Sequence, residues 1–273
     1  MQQVALVTGA SSGIGESTVR ALLGAGLTVY AAARRVERMK GLADDGARVL
    51  AMDVSSDASM TEGVRHILDE AGRLDVLVNN AGYGSYGSLE NVPIDEARRQ
   101  FEVNVFGLAR LTQLVLPGMR ARRSGTIVNL SSIGGKFYEP LGSWYHAAKF
   151  AVEGLSDSLR IELKPFGVRV VLIEPGPIMS EWSTIARESL LENSEGTPYE
   201  ENARRVAKVL ADFDQPGRAG RPEGVAAAIL RAVQSKNPAA RYPVGGGAWP
   251  ILAARKILPD RAFDAIVSAI YGH

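Results

Sequence analysis

The sequence contains no cysteine and only three histidines, His66, His146 and His273, which lie far apart in the chain. The absence of cysteine excludes disulfide bonds, a thiol nucleophile and a cysteine-ligated zinc ion, and it is typical of the reducing cytoplasm. Three scattered histidines argue against a histidine-based metal site and against a Ser-His-Asp triad. We therefore predict a cytoplasmic protein without a bound metal.

The sequence also lacks an excess of charge and a long apolar run. It has 31 Lys and Arg residues against 30 Asp and Glu residues, and this net charge of +1 argues against a nucleic-acid partner. No stretch approaches the about 20 apolar residues that span a bilayer. The opening MQQVALVTGA has no basic segment before a long apolar run, as a signal peptide would. We expect no integral membrane segment.

Hydrophobic residues make up 46% of the 273 residues, and many form short runs between helix-like segments. Strands are predicted at 4–8, 27–33, 47–52, 74–79, 125–130, 168–174 and 241–244. Helices are predicted at 13–25, 36–44, 57–71, 95–121, 143–164 and 222–235. Runs of Val, Ile and Leu alternating with helices are typical of a parallel sheet covered on both faces. Right-handed crossovers then give a doubly wound α/β fold of the Rossmann type, in a single domain over residues 1–273.

The alternation of strands and helices stops in the last third of the chain. Residues 183–221 carry charges of both signs, few apolar residues and turn-forming sequences, which predict a partly helical insertion that acts as a substrate lid. Residues 248–271 predict two short amphipathic helices separated by Pro259. We expect this C-terminal helical tail to pack on the domain, in preference to contacting a membrane or a partner.

A glycine-rich turn, TGASSGIG at 8–15, follows the first predicted strand and opens the first predicted helix. Glycine permits a tight turn and close approach of the backbone to a pyrophosphate, which the amides of the helix N-terminus then face. The alternative is a plain strand–helix connection, but the position directly after the first strand favours dinucleotide binding. The turn residues assigned to the cofactor are Gly9, Ser11, Ser12, Gly13, Ile14 and Gly15.

The end of the second predicted strand bears on the choice of cofactor. Sites for NAD favour an acidic residue there, about 20 residues after the glycines, to accept the ribose hydroxyls. This chain has Ala33, Arg34 and Arg35 instead. A guanidinium is always charged and suits a 2′-phosphate, although two solvated arginines are also common at a helix start. We predict a preference for NADP(H), with NAD(H) as an alternative.

A tyrosine and a lysine lie four residues apart in the segment SWYHAAKF, as Tyr145 and Lys149. They are either surface residues of an ordinary helix or the working pair of an active site. Residues four apart share a helix face, so both side chains point to the same side. A phenol has a pKa of about 10, and a neighbouring ammonium favours its ionised form. Together with the positive charge of a nicotinamide, the pair predicts a general acid–base site in which the pKa of Tyr145 is lowered toward the working pH.

Several motifs occur together in one order: TGASSGIG, NNAG at 79–82, Asn104, Ser132, YHAAK at 145–149 and PG at 175–176. Over residues 3–180 this set resembles the short-chain dehydrogenase/reductase family. The passage at 144–178 is most similar to the hydroxysteroid and retinol dehydrogenase branch. The resemblance implies an NAD(P)-dependent enzyme that interconverts an alcohol and a carbonyl.

The resemblance also implies roles for individual residues. Tyr145 would transfer the proton, Lys149 would also bind the nicotinamide ribose, and Ser132, chosen over Ser131, would bind the substrate oxygen. Asn104 would form a bend that holds a water for proton relay. The further positions matched to cofactor contacts are Asp53, Val54, Asn80, Ala81, Gly82, Pro175, Gly176, Ile178 and Ser180. The resemblance also suggests a homodimer or homotetramer, paired through residues 95–121 and 143–164.

The substrate is inferred from large side chains near the predicted site. The candidates are Phe137, Tyr138, Trp144, Met179 and Trp182, with Tyr86 as a further one. Such a set favours a lipophilic, ring-bearing substrate such as a steroid or retinoid, although aromatic residues beside a cleft also serve as core or dimer contacts. The alternatives are a sugar, polyol or 3-oxoacyl-thioester reductase, or a non-catalytic, redox-sensing dinucleotide-binding protein.

Overall fold

A computed structural model describes residues 2–215 and 217–272, and it forms one α/β domain around a seven-stranded sheet. The strand order is β3-β2-β1-β4-β5-β6-β7, and every neighbouring pair is parallel. The strands are β1 Val4–Thr8, β2 Thr28–Ala33, β3 Arg48–Ala51, β4 Val76–Asn79, β5 Gly125–Leu130, β6 Val168–Pro175 and β7 Arg241–Val244. The doubly wound parallel sheet predicted from the sequence is confirmed.

The helices cover both faces of this sheet. They are α1 Gly13–Gly24, α2 Lys40–Asp44, α3 Asp57–Ala71, α4 Ile94–Phe101, α5 Gly107–Ala121, α6 Ser143–Leu163, α7 Glu181–Glu192, α8 Glu200–Phe213, α9 Pro222–Gln234, α10 Ala248–Ile257 and α11 Asp260–Tyr271. Alternate residues of β1 face opposite sides: Val7 packs in a core with α1 and α9, whereas Leu6 packs in a second core with α3 and α5. Burial on both faces explains why the strands read as continuous apolar runs.

The helix predicted over 95–121 is interrupted. A wider, π-type turn at Glu102–Phe106 separates α4 from α5 and contains the buried Asn104. Periodicity alone could not find this break, because the residues on either side keep helical spacing. Turns of this kind inside helices are often found at functional sites.

The sheet order reverses between β1 and β4, which are neighbours although β2 and β3 come between them in the chain. Helices leave the sheet in opposite directions there, which opens a crevice at the carboxyl ends of the strands. Asn80 closes the floor of the crevice: its Nδ2 donates to Thr8 O at 2.9 Å and to Gly9 O at 3.2 Å. These hydrogen bonds tie the turn after β4 to the end of β1 and the glycine-rich turn.

Residues after β6 build a cover beside the crevice. The helices α7 and α8 pack on each other through a small apolar core that includes Ala186, Leu190 and Val206. A β-bridge between Ile178 and Gly220 joins the two ends of this segment to each other. Leu258 and Pro259 separate α10 from α11, and Phe263 and Tyr271 anchor α11 by burial. None of the helices in the described ranges is long and apolar enough to cross a membrane.

Candidate active site

A cavity of about 1130 Å³ lies at the carboxyl edge of the sheet. It is larger than the about 300–1,000 Å³ typical of a small-molecule site, so it has room for two ligands. Of the cofactor-binding and catalytic residues expected from the sequence, those that line it are Gly9, Ser11, Ser12, Gly13, Ile14, Arg34, Arg35, Asp53, Val54, Asn80, Ala81, Gly82, Ser132, Tyr145, Lys149, Pro175, Gly176, Ile178 and Ser180. Gly15 and Asn104 lie behind this lining.

The glycine-rich turn brings the backbone close to the crevice. Gly9 has a left-handed φ of +65°, and a Cβ there would come within 2.9 Å of Ala81 Cα. At Gly15 a Cβ would meet Gly9 O at 2.3 Å, so this residue allows α1 to begin directly against the turn. The first amides of α1 therefore face the cavity, which is an arrangement that suits a pyrophosphate.

Arginine side chains gather at the end of β2. Arg34 and Arg35 are exposed and line the cavity. Arg35 Nη2 lies 3.4 Å from Ser11 Oγ and 3.4 Å from Glu181 Oε2. Arg38 pairs with the same carboxylate, with Nη1 3.1 Å from Glu181 Oε2. No sequence pattern predicts a role for Glu181, which is 146 residues from Arg35 and meets it only through the position of α7.

Tyr145 lies on the first turn of α6, buried in the cavity wall between aromatic neighbours. Its ring centroid is 4.9 Å from that of Trp182 and 5.7 Å from that of Tyr86. Burial raises the pKa of its phenol, the hydrogen bond with Ser132 lowers the pKa, and the charge of Glu139 raises it, with a net rise. The sequence-based expectation of a lowered pKa is therefore wrong for the protein's own groups, because burial prevails. The phenol is held in its protonated, proton-donating form.

Lys149 lies one turn further along α6 and is also buried. Its Nζ donates to Leu130 O at 2.9 Å and lies 6.0 Å from the centre of the Tyr145 ring, so the two side chains share a face as expected. Burial lowers the pKa of Lys149 to about 8, against a smaller raising effect of Glu153. The ammonium is the dominant form at neutral pH, and it loses its proton in the alkaline range.

Ser132 begins the short helical turn at Ile133–Gly135 that follows β5. Its Oγ accepts from Gly134 N at 3.0 Å and donates to Pro175 O at 3.4 Å. These contacts fix the hydroxyl beside the Tyr145 phenol. Ser131 lines the cavity too, but its Oγ lies 3.5 Å from Ser132 O and points toward Gly135, where a Cβ would meet it at 2.8 Å. The geometry favours Ser132 over its neighbour as the group beside the phenol.

Asn104 uses its side chain to hold the loop after β4. Oδ1 accepts from Tyr83 N at 3.0 Å, and Nδ2 donates to Tyr83 O at 2.8 Å. Gly82 lies between Asn104 and Lys149: a Cβ there would be 2.9 Å from Asn104 Oδ1 and 3.9 Å from Lys149 Nζ. The π-type turn thus places the amide near the lysine, with one residue between them.

The large side chains predicted to line the substrate pocket separate into two groups. Phe137, Trp182 and Tyr86 line the cavity. The cavity lining does not include Tyr138, Trp144 or Met179, so the prediction is wrong for these three. The Trp144 ring packs edge-on against Phe101 of α4, and the Tyr138 hydroxyl donates to Asp264 of α11 at 2.7 Å. Met179 points outward, with 42% of its surface exposed.

Helices α10 and α11 of the tail and the acidic residue Glu139 complete the cavity lining, although no sequence pattern predicted that they would. Helices α10 and α11 contribute apolar side chains, among them Ile251, Phe263, Ile266 and Ile270, and α7 and α8 add Ile185 and Phe213. Glu139 lines the same end, close to His146. The tail was expected only to pack on the domain. The amphipathic pattern of the tail predicts an apolar face but does not show that this face borders a cavity.

Comparison with known proteins agrees with this geometry. Residues 3–190 match the family described as short chain dehydrogenase. The chain is 36% identical over 270 residues to a 3-ketodihydrosphingosine reductase of Bacteroides thetaiotaomicron, and the match covers 98% of each chain. It is also 36% identical over 275 residues to an NADPH-dependent 3-dehydrocapnine reductase of Ornithobacterium rhinotracheale, covering 96% of this chain and 95% of the relative.

The fold has a solved counterpart in a short-chain dehydrogenase from Streptomyces avermitilis. The two structures superpose with a TM-score of 0.82 at 34% identity, over 98% of this chain and 96% of the other. The sequence and the fold therefore match those of known short-chain dehydrogenases along almost the whole length of the chain. The chain belongs to the short-chain dehydrogenase/reductase family of oxidoreductases.

Proposed function

We propose that the protein is an NADP(H)-dependent reductase of a ketone carried on a long apolar chain. The observation that carries this proposal is the cavity itself. One end contains the buried Tyr145 and Lys149 beside Ser132, and the other end is lined by aliphatic and aromatic side chains of α7, α8, α10 and α11. A hydrophilic sugar or polyol would bury little of this apolar lining, whereas an alkyl chain would cover it and remove it from water.

The chain has the groups that an NADP cofactor needs. The turn at Gly9 and the N-terminus of α1 would take the pyrophosphate, Arg34 and Arg35 the 2′-phosphate, and Asp53 with Val54 the adenine. Pro175, Gly176, Ile178 and Ser180 would border the nicotinamide, which supplies the hydride when bound. The name of the relative from Ornithobacterium rhinotracheale, an NADPH-dependent reductase, supports NADP(H) over NAD(H).

The residues beside the ketone would divide the proton chemistry among them. Tyr145 would donate its proton to the carbonyl oxygen, and its buried, protonated phenol suits reduction. Ser132 would hold that oxygen by a hydrogen bond that strengthens as negative charge develops. Lys149 would bind the nicotinamide ribose. Asn104 would position the loop at Tyr83 and hold the water that relays protons near Lys149.

The likeness to two ketone reductases favours a chain-like ketone over a ring system. The names of both relatives specify a 3-keto or 3-dehydro substrate. The steroid or retinoid expected from the sequence depended on five large side chains, and three of these lie outside the cavity lining. We therefore place the ketone at Tyr145 and its chain against α7 and α11.

Two further roles belong to this proposal. The segment 183–221 would act as a lid, and Trp182, which directly precedes it on α7, would cover Tyr145. The chain would also form a homodimer through α4, α5, α6 and the π-type turn between α4 and α5, where large apolar residues are exposed, including Ile94, Phe106, Phe150 and Ile161. Light scattering on the purified protein tests the dimer, and a monomer would contradict it.

The test of the proposed activity is NADPH oxidation with a series of 3-ketones of increasing alkyl length. Each added CH₂ that enters the apolar end contributes about 0.8 kcal/mol, so kcat/KM should rise about fourfold per carbon until the cavity is filled. Matched sugar ketones and 3-oxoacyl thioesters serve as comparison substrates. Absence of NADPH oxidation with every ketone, or a faster reaction with the sugars, would contradict the proposal.

A further inference from the structure

Glu139 places a carboxylate in the substrate end of the cavity. Only 9% of its side chain is exposed, and it lines the cavity together with Tyr145. It is close enough that its charge raises the pKa of the Tyr145 phenol. The described mechanism gives Glu139 no task, although a charge at this position acts on both the substrate and the proton donor.

The immediate partners of Glu139 are neutral groups. Tyr86 donates to Oε1 at 2.6 Å, and Tyr271 donates to Oε2. Burial and the charge of Glu139 raise the pKa of both phenols, so both stay protonated and act as donors. Each carboxylate oxygen accepts from one of these donors and keeps a further lone pair.

His146 does not neutralise this charge. Its Nε2 accepts a hydrogen bond from the Glu139 amide at 3.2 Å, and its Nδ1 lies 2.8 Å from Gly134 O. Because a carbonyl can only accept, Nδ1 carries the proton and Nε2 does not, which is the neutral imidazole. Among residues 2–215 and 217–272, His146 is the only basic side chain within ion-pair distance of Glu139.

A buried carboxylate costs free energy unless a cation or several strong hydrogen bonds compensate for it. Here the residues that the structure describes supply two phenols and no cation, and Glu139 is part of the cavity lining. A cationic group of a bound substrate would supply that compensation.

We propose that Glu139 binds an ammonium group close to the reacting carbonyl, so that the substrate is a long-chain α-amino ketone. This inference rests on the proposed function, because it assigns the polar end of the same substrate. The ammonium would lie against the Glu139 carboxylate, while the alkyl chain extends along α11. Glu139 is then a specificity-determining residue that distinguishes an amino ketone from a neutral ketone of the same length.

A purely structural role for Glu139 is the competing explanation. Its two tyrosines come from different parts of the chain, so the carboxylate ties α11 to the loop that carries Tyr86. Such a tie would affect every substrate equally. The ratio of activities on charged and neutral substrates separates the two roles, since only an ammonium-binding carboxylate changes that ratio.

The experiment compares 3-ketodihydrosphingosine, which carries a free amino group beside its ketone, with its N-acetyl derivative, which is neutral. NADPH oxidation is measured at neutral pH with the full chain, its Glu139→Gln variant and its Tyr271→Phe variant. The wild type should favour the amine by about 10–100-fold in kcat/KM, the range for a hydrogen bond between charged groups. In Glu139→Gln the preference should vanish, whereas Tyr271→Phe keeps the carboxylate and should keep most of the preference.

The possible outcomes distinguish failure of the inference about Glu139 from failure of the proposed function. Equal losses on both substrates in Glu139→Gln would overturn the inference and leave the structural role. Activity of the wild type on neutral long-chain ketones without a preference for the amine would overturn the inference while the proposed function stands. Activity on neither substrate, with NADPH binding intact, would overturn the proposed function itself. Thermal melting and NADPH titration of each variant show that it is folded.

Discussion

At the scale of single residues, two arginines can compete for the 2′-phosphate. Arg35 already contacts Glu181 and Ser11, whereas Arg34 carries its charge into the cavity rim near Asp53. We predict that Arg34→Ala weakens NADPH binding about tenfold and leaves NADH binding almost unchanged, since a charged hydrogen bond is worth roughly 1.5–3 kcal/mol before screening. Arg35→Ala should cost less. Fluorescence titration with both reduced cofactors measures this, and a loss confined to Arg35→Ala would move the phosphate site by one residue.

Lys149 connects cofactor binding with pH. Burial lowers the pKa of Lys149 to about 8, so its ammonium is lost as the pH rises through that value. We predict that wild-type affinity for NADPH is steady below about pH 7 and falls as the pH rises through 8, because the ribose contact weakens with the charge. Lys149→Ala should bind NADPH more weakly at pH 7 and show no such fall. A pH-independent wild type between pH 7 and 9 would exclude this role.

The residues that the sequence could predict are those with a fixed local spacing. Tyr145 and Lys149 are one helical turn apart, and the turn at Gly9 follows a strand, so a short pattern specifies each. Glu139 has no such pattern. It is a lone acid in an irregular loop, and its partners Tyr86 and Tyr271 lie 53 and 132 residues away. Only the folded chain brings these three together.

At the scale of elements, a buried ionic cluster joins α6 to β6 and β7. Arg241 of β7 contacts Glu153 and Asp157 of α6 and lies 3.2 Å from Glu174 of β6. Burial first, and the charge of Glu153 second, raise the pKa of Glu174 to about 7. This cluster fixes the start of the edge strand β7 against β6, the strand that ends at Pro175.

The raised pKa of Glu174 predicts how stability changes with pH. The folded state binds more protons than the unfolded state between the ordinary pKa of 4.5 and about 7, so the free energy of unfolding falls as the pH rises through this window. Glu174→Gln removes that loss and should stabilise the protein at pH 8 by roughly 1–3 kcal/mol, with little gain at pH 4.5.

Thermal melting at both pH values tests this prediction, with the exposed Glu162→Gln on α6 as the matched control. Destabilisation of Glu174→Gln at pH 8 would show that its charge is needed by Arg241 and would contradict the expected sign.

The elements themselves differ in how far the sequence predicts them. The strands were predicted because burial on both faces leaves an unbroken apolar run. For the turn at Glu102–Phe106, the family resemblance predicted a bend at Asn104, whereas the periodicity predicted one continuous helix, since the wider turn does not change the residue types around it. Helices α7 and α8 bury Leu190 and Val206 mainly against each other and the tail. How α7 and α8 pack on the domain depends on tertiary contacts, which the local hydrophobic periodicity does not predict.

At the scale of the whole molecule, the cavity unites segments from both ends of the chain. Ile266 and Ile270 of α11 line it and remain about half exposed, at 45% and 49%. We predict that Ile266→Ser with Ile270→Ser lowers kcat/KM for a long-chain ketone about tenfold, because each loses part of its apolar contact, and hardly affects a short ketone. Ile257→Ser on α10, which is 78% exposed and outside the cavity lining, is the matched control. Equal effects on long and short ketones would place the chain elsewhere.

The central claim is that Tyr145 transfers the proton in a reaction that takes place in this cavity. The most direct measurement compares wild type with Tyr145→Phe, in turnover of the best ketone and in NADPH affinity. General acid catalysis typically contributes about 10²–10⁴-fold, so turnover should fall by that factor while NADPH affinity stays within about twofold, since the phenol donates a proton and does not hold the cofactor. Near-wild-type turnover in Tyr145→Phe would contradict the account.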